Sequence, residues 1–227
     1  MDDPLSGGVL WRAPPPDGST RAALCFPHGG AGASVFGDWA AALAPHGARL
    51  VAYQPPGREW RSSEPPSTSI TAMAQEAAET YAGAGDSPPT ILFGNSMGAL
   101  LALEAAHALR ELGFGDTERV VVAGMSAPRT RADASASGSA PAAGSGVDPL
   151  VLRADVEAVR RYQPAVREPL SCPILAVRGR SDEKVREAEM LAWGDETSAG
   201  FQLVTVEGGH IDLLKGRETI AAVVLRD

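Results

Sequence analysis

Positive charge is scarce in this 227-residue chain, and lysine is almost missing from it. Lys184 and Lys215 are the only lysines among 20 basic residues, against 28 acidic ones, for a formal net charge of −8. No long basic run occurs, which argues against nucleic acid as a partner. Cysteine is nearly absent too. Cys25 and Cys172 fall in apolar runs that read as buried strands, so both are expected as reduced core residues of a cytoplasmic protein, and they form no metal-ligand cluster. No segment approaches the length of a membrane span. The stretch Met1-Asp2-Asp3-Pro4-Leu5-Ser6-Gly7-Gly8 has neither the basic start nor the long apolar run of a secretory signal. No internal repeat is evident. The length fits one domain, 1–227, with a substantial core, and a monomer is expected.

Against these absences one stretch stands out. Thr90-Ile91-Leu92-Phe93 is a short apolar run, Gly94-Asn95-Ser96-Met97-Gly98 is a G-x-S-x-G pentapeptide, and an Ala/Leu-rich helical pattern follows. A nucleophile lifted out of a strand-to-helix turn needs neighbours without side chains, and Gly94 and Gly98 supply that room. Ser96 is therefore expected as a catalytic nucleophile, and the Met97 N–H, at the opening of the helix, as an oxyanion donor. A serine hydroxyl is a poor nucleophile at its ordinary pKa, so a histidine base and an orienting acid should follow in the order Ser, acid, His.

Among His28, His46, His107 and His210, only His210 lies suitably downstream, in the loop Glu207-Gly208-Gly209-His210 after the strand-like Phe201 to Val206. His107 falls inside the helix begun by Met97 and reads as a satisfied surface or packing residue; His46 sits in the turn Pro45-His46-Gly47 and should face solvent. The acid should close the preceding strand, read over Cys172 to Arg178, and Gly179-Arg180-Ser181-Asp182 follows it, which makes Asp182 the candidate. Glu183 and Asp212 compete: the first is one residue too far along, and the second belongs to the next element. Asp182 could instead cap a helix opening at Glu183. A second oxyanion donor should come from a loop after an early strand. Ala23 to Phe26 reads as that strand and Pro27-His28-Gly29-Gly30-Ala31-Gly32 as the loop, with Gly29 as donor, Gly30 as runner-up, and His28 holding the loop by hydrogen bonds.

Strand and helix patterns alternate along the chain. Helices are expected near Val35 to Ala44, over Ser69 to Tyr81, Pro149 to Tyr162 and Gly216 to Leu225, and further strands over Arg49 to Tyr53 and Glu118 to Gly124. Such alternation predicts a mostly parallel sheet with helices on both faces.

Cys25-Phe26-Pro27-His28-Gly29-Gly30-Ala31-Gly32, Gln54-Pro55-Pro56-Gly57-Arg58-Glu59, Gly94-Asn95-Ser96-Met97-Gly98-Ala99 and Gly208-Gly209-His210, in this order and with Trp193 in a helix after Asp182, resemble the type II thioesterases of polyketide and nonribosomal peptide assembly lines. The resemblance covers nearly the whole chain and implies an α/β-hydrolase fold and a serine thioesterase of the triad Ser96, Asp182 and His210. Its substrates would be acyl groups on the phosphopantetheine arms of acyl or peptidyl carrier proteins, with no cofactor of its own. A carrier-dependent cyclase or acyltransferase with the same triad is the alternative. A carrier presents an acidic helix and a phosphate, for which arginines suffice. Arg58, Arg61, Arg129, Arg131, Arg178 and Arg180 fall in loops expected near the active-site end of the sheet. Arg58, fixed by its Pro-Pro-Gly turn, is the strongest carrier contact among them, with His28 and Gly30 beside it. Two departures stand out. Asn95 occupies the position before the nucleophile where a histidine is usual. The lid, 126–164, looks truncated, because Arg131 to Gly146 is a small-residue stretch without apolar periodicity that should be mobile.

Overall fold

A computed structural model describes residues 8–85, 88–115, 117–133, 147–210 and 217–224. Seven strands form one sheet: β1 (Leu10–Arg12), β2 (Arg21–Phe26), β3 (Ala48–Tyr53), β4 (Thr90–Asn95), β5 (Thr117–Ala123), β6 (Ile174–Gly179) and β7 (Phe201–Val206). Their spatial order is β1-β3-β2-β4-β5-β6-β7. Every neighbouring pair is parallel except β1 with β3. The helices are α1 (Trp39–Leu43), α2 (Ile70–Ala82), α3 (Met97–Glu111), α4 (Pro149–Arg161), α5 (Glu187–Leu191) and α6 (Arg217–Val224).

The central strands are apolar without interruption because the sheet is covered on both faces. Side chains alternate across a strand, and the core divides accordingly. Leu24, Leu92, Val120, Val122 and Ala176 join a cluster built with α2 and α3. Their sequence neighbours Cys25, Phe93, Val121, Ala123 and Val177 join a second cluster with α1 and α6. Cys172 belongs to the first cluster and Cys25 to the second, and both are free and buried. Burial pushes both thiols well up, Cys172 to about 11. Among the described residues, no helix is long and apolar enough to cross a membrane.

The expected helix over Val35 to Ala44 is broken into a 3₁₀ turn (Ala33–Phe36), α1 and a second 3₁₀ turn (Ala44–His46). Gly37 and Asp38 interrupt it, and Pro45 then closes it. The fragments still bury Phe36, Trp39 and Leu43 against Phe93 or the sheet around it. No helix opens at Glu183; α5 begins at Glu187, with Arg186 as its N-cap. Trp193 lies in the 3₁₀ turn Ala192–Glu196, fully buried, and donates from Nε1 to Met125 O at 2.7 Å. Of the stretch Arg131 to Gly146, residues 134–146 lie outside the described residues. Asp212 does as well.

β2 leads outward in one direction, through β3 to β1, while β4 leads the other way to β7. The chain therefore reverses its winding between β2 and β4. In open α/β sheets the crevice outside the carboxyl ends of strands at such a point is where ligands bind.

Candidate active site

Ser96 follows β4 directly, with φ 53° and ψ −120°, one of two non-glycine residues at positive φ among the described residues. An L-residue adopts this conformation only where its surroundings impose it. Here they do. A Cβ on Gly94 would collide with the Gly98 carbonyl, and a Cβ on Gly98 would collide with the carbonyl of Phe26 at the end of β2. The Ser96 N–H donates to Ala123 O at 2.8 Å, which ties the turn to β5.

His210 stands past the end of β7, and its Nε2 lies 3.2 Å from Ser96 Oγ. Its Nδ1 lies 2.9 Å from Asp182 Oδ2, past the end of β6. A carboxylate accepts only, so Nδ1 carries the proton and Nε2 is left to accept from the serine hydroxyl. Asp182 is buried, and its other oxygen accepts from the Lys184 N–H at 2.9 Å. Burial alone would raise its pKa. The hydrogen bonds from His210 and from the Lys184 and Val185 amides outweigh that and hold it below the usual carboxylate range. Arg178 braces the same loop by donating to the carbonyls of Val185 and Asp182. Glu183 is exposed beside it.

The loop after β2 crosses the start of α3, since the Phe26 and Pro27 carbonyls both crowd Gly98. His28 is half-buried; its Nδ1–H donates to Gly29 O at 3.0 Å. Burial, partly offset by that bond, lowers its pKa. Gly30 cannot serve as the runner-up donor, because its N–H is already given to Asp155 Oδ2 at 2.7 Å. Among the described residues, the N–H groups of Gly29 and Met97 carry no such bond.

Arg58 departs from its expected role as a carrier contact. It is buried, 6% exposed, and both terminal nitrogens grip Asp155: Nη1 to Oδ2 at 2.6 Å and Nη2 to Oδ1 at 2.8 Å. Nη1 also donates to Ala31 O and Nε to Pro56 O. A guanidinium so enclosed has no face left for a phosphate. Arg61 is likewise buried, on Glu64, Glu76 and Gln54 O. Arg180 pairs at the surface with Glu207, and half-exposed Arg129 with Glu196. The segment Gln54 to Glu59 is instead zipped to the glycine loop: Gln54 Oε1 accepts from the Ala33 N–H at 2.8 Å, and Glu59 accepts from Ser34 Oγ.

Asp155 was invisible to motif reading, yet its signal was present. In α4 the residues Val151, Asp155 and Ala158 form the buried stripe, and an acid there announces a buried partner. His107 is buried in α3, with Nδ1 3.1 Å from Arg110 Nη2. His46 is exposed.

Comparison with known proteins shows the family. The thioesterase domain family matches residues 22–144, more than half of the chain. Over 238 residues the chain is 29% identical to a probable cadicidin biosynthesis thioesterase of Streptomyces griseus, covering 96% of this chain and 65% of that one. Over 215 residues it is 28% identical to the gramicidin S biosynthesis protein GrsT of Aneurinibacillus migulanus, covering 86% and 83%. The chain thus spans just under two thirds of the first relative's length. The solved type II thioesterase BorB from the borrelidin biosynthetic cluster superposes with a TM-score of 0.83 at 28% identity, covering 97% and 99%. A nucleophile turn at a sheet's winding reversal, with histidine and acid at the ends of two further strands, is how an α/β-hydrolase is built, and the chain belongs to the thioesterase domain family.

Proposed function

We propose that this thioesterase hydrolyses acyl groups from the phosphopantetheine arms of acyl or peptidyl carrier proteins in polyketide or nonribosomal peptide biosynthesis. The observation that carries the reading is the continuous hydrogen-bonded chain from Ser96 Oγ through His210 to Asp182, built on the positive φ of Ser96.

Ser96 Oγ gives its proton to His210 Nε2 and attacks the thioester carbonyl. The carbonyl electrons move onto oxygen, where the N–H groups of Met97 and Gly29 hold the charge. Asp182 keeps its proton-free carboxylate on Nδ1 and stabilises the imidazolium. The carbon–sulfur bond then breaks, and the pantetheine thiolate leaves with the proton from Nε2. Water, giving its proton to the same nitrogen, attacks the acyl enzyme; the second tetrahedral species collapses, the proton returns to Ser96 Oγ, and the free acid departs. The phosphopantetheine arrives with the carrier, so the protein supplies no cofactor. In this reading the chain is a cytoplasmic monomer, the carrier is a transient partner, and 126–164 serves as a truncated lid insertion.

Mass spectrometry of carrier protein loaded with a panel of acyl groups tests this directly. Exposure to the protein should return the carrier to the mass of its free-thiol form and release the matching acids. Carriers that stay loaded across the panel would sink the proposal.

A further inference from the structure

Helix α4 is tied to the glycine loop by a buried carboxylate that the triad does not use. Asp155 is 1% exposed. Its Oδ2 takes the Gly30 N–H at 2.7 Å, and both its oxygens take the fork of Arg58. A buried ion pair is a poor source of stability, since apolar side chains of similar volume usually hold a core as well. What an apolar pair cannot do is fix the direction of an amide.

Gly30 has φ +84° and no side chain, so the loop's peptide planes would swing if left free. Four bonds stop them. The peptide joining Gly29 to Gly30 is held at both ends, its C=O by His28 Nδ1–H and its N–H by Asp155. The preceding peptide is held by its C=O, which accepts from the Ala31 N–H at 3.1 Å, while Arg58 holds the Ala31 carbonyl in turn. In a trans peptide the N–H points opposite to the C=O. With the His28 carbonyl pinned, the direction of the Gly29 N–H is set.

We propose that Asp155, with Arg58 as its counter-ion, is a positioning residue through which α4 aims the Gly29 N–H at the developing oxyanion. The inference rests on Gly29 as the second donor. It makes the lid helix part of the catalytic device rather than a cover alone.

The test uses a short-chain p-nitrophenyl ester, which needs the triad and the oxyanion donors but no carrier. The double variant Arg58→Met with Asp155→Leu removes both charges at similar volume. It should melt near the wild-type temperature, with KM little changed and kcat lower by about 10²-fold, the loss expected of one oxyanion donor. The affinity for an alkyl trifluoromethyl ketone, whose serine adduct carries an oxyanion, should fall by the same factor. Turnover within about threefold of wild type, a rise in KM alone, or an unchanged ketone affinity would each overturn the inference. Should the double variant fail to fold, the wild-type protein decides. On forming the ketone adduct, the amide resonance of Gly29 should move downfield while that of Gly30 stays, and the reverse pattern overturns it. A wild-type protein that hydrolyses neither ester nor thioester would sink the proposed function itself, a result distinct from all of these.

Discussion

Ser96 carries the cost of its position so that its hydroxyl can stand clear of the turn. Its φ of 53° is bearable only because Gly94 and Gly98 vacate the space on either side. Replacing Ser96 by alanine should leave the fold intact, as the turn is held by backbone contacts. Turnover should fall by several orders of magnitude, to what binding and oxyanion stabilisation alone supply; steady-state hydrolysis beside a thermal melt checks both halves. The acid is tested in the same way. Asp182 is buried on His210 Nδ1, whereas Glu183 is exposed. Asp182→Asn should therefore cost about 10³ to 10⁴ in kcat by leaving the imidazole in the wrong tautomer, and Glu183→Gln little. Equal losses at the two positions would move the acid. Because the Asp182 carboxyl is held low, it stays ionised as pH falls through the ordinary carboxylate range, and the orientation of His210 persists there.

At the scale of elements, what was legible in the sequence is what local chemistry dictates. The apolar runs that became β2 to β6 had to be strands buried on both faces, and the turn at Ser96 followed from its two glycines. β1 was not legible, because three residues at an edge carry no periodicity of their own; Leu10 to Arg12 become a strand only by pairing with β3. Arg58 was misread for a related reason. Its place in a fixed turn was visible, and the buried stripe of α4 shows an acid that needs a partner, but the two lie 97 residues apart and nothing local says which residue pairs with which. The close approach of α3 to β2 is equally non-local, and it yields a contrast. A Cβ at Gly98 meets backbone, whereas one at Gly29 meets only Asp155 Cβ at 3.6 Å and Leu152 Cδ1 at 3.8 Å, ordinary contacts. Gly98→Ala should thus force α3 from β2, costing about 1–3 kcal/mol as overpacking does, and it should displace the glycine loop enough to lower kcat. Gly29→Ala keeps its N–H and should melt near wild type. Comparing the two by thermal denaturation and by kcat checks the packing argument; equal melting temperatures would refute it.

The whole molecule holds its catalytic end and its far helical layer under different electrostatic rules. Around the triad, charge is stabilised by hydrogen bonds. Where α3 meets α4, a buried base is kept neutral instead. Glu104 on α3 accepts from Tyr162 and Arg167, while Arg110 reaches the Pro169 carbonyl and His107. Burial first, then the positive charges of Arg167 and Arg110, push the His107 pKa from its ordinary 6.5 down to about 3. In the unfolded chain the same imidazole takes a proton below pH 6.5, and in the folded protein it does not. The unfolded state therefore binds more protons between pH 6.5 and about 3, so stability falls as pH falls through that window. Acidification thereby lowers the stability of the whole fold through this one buried imidazole. His107→Gln keeps an acceptor for Arg110 and removes the titration. The variant's melting temperature should consequently drop less than that of the wild type between pH 7 and pH 4.5, roughly the upper part of this window. Parallel drops in the two proteins would show that His107 titrates alike folded and unfolded, and that the acid sensitivity of the fold lies elsewhere.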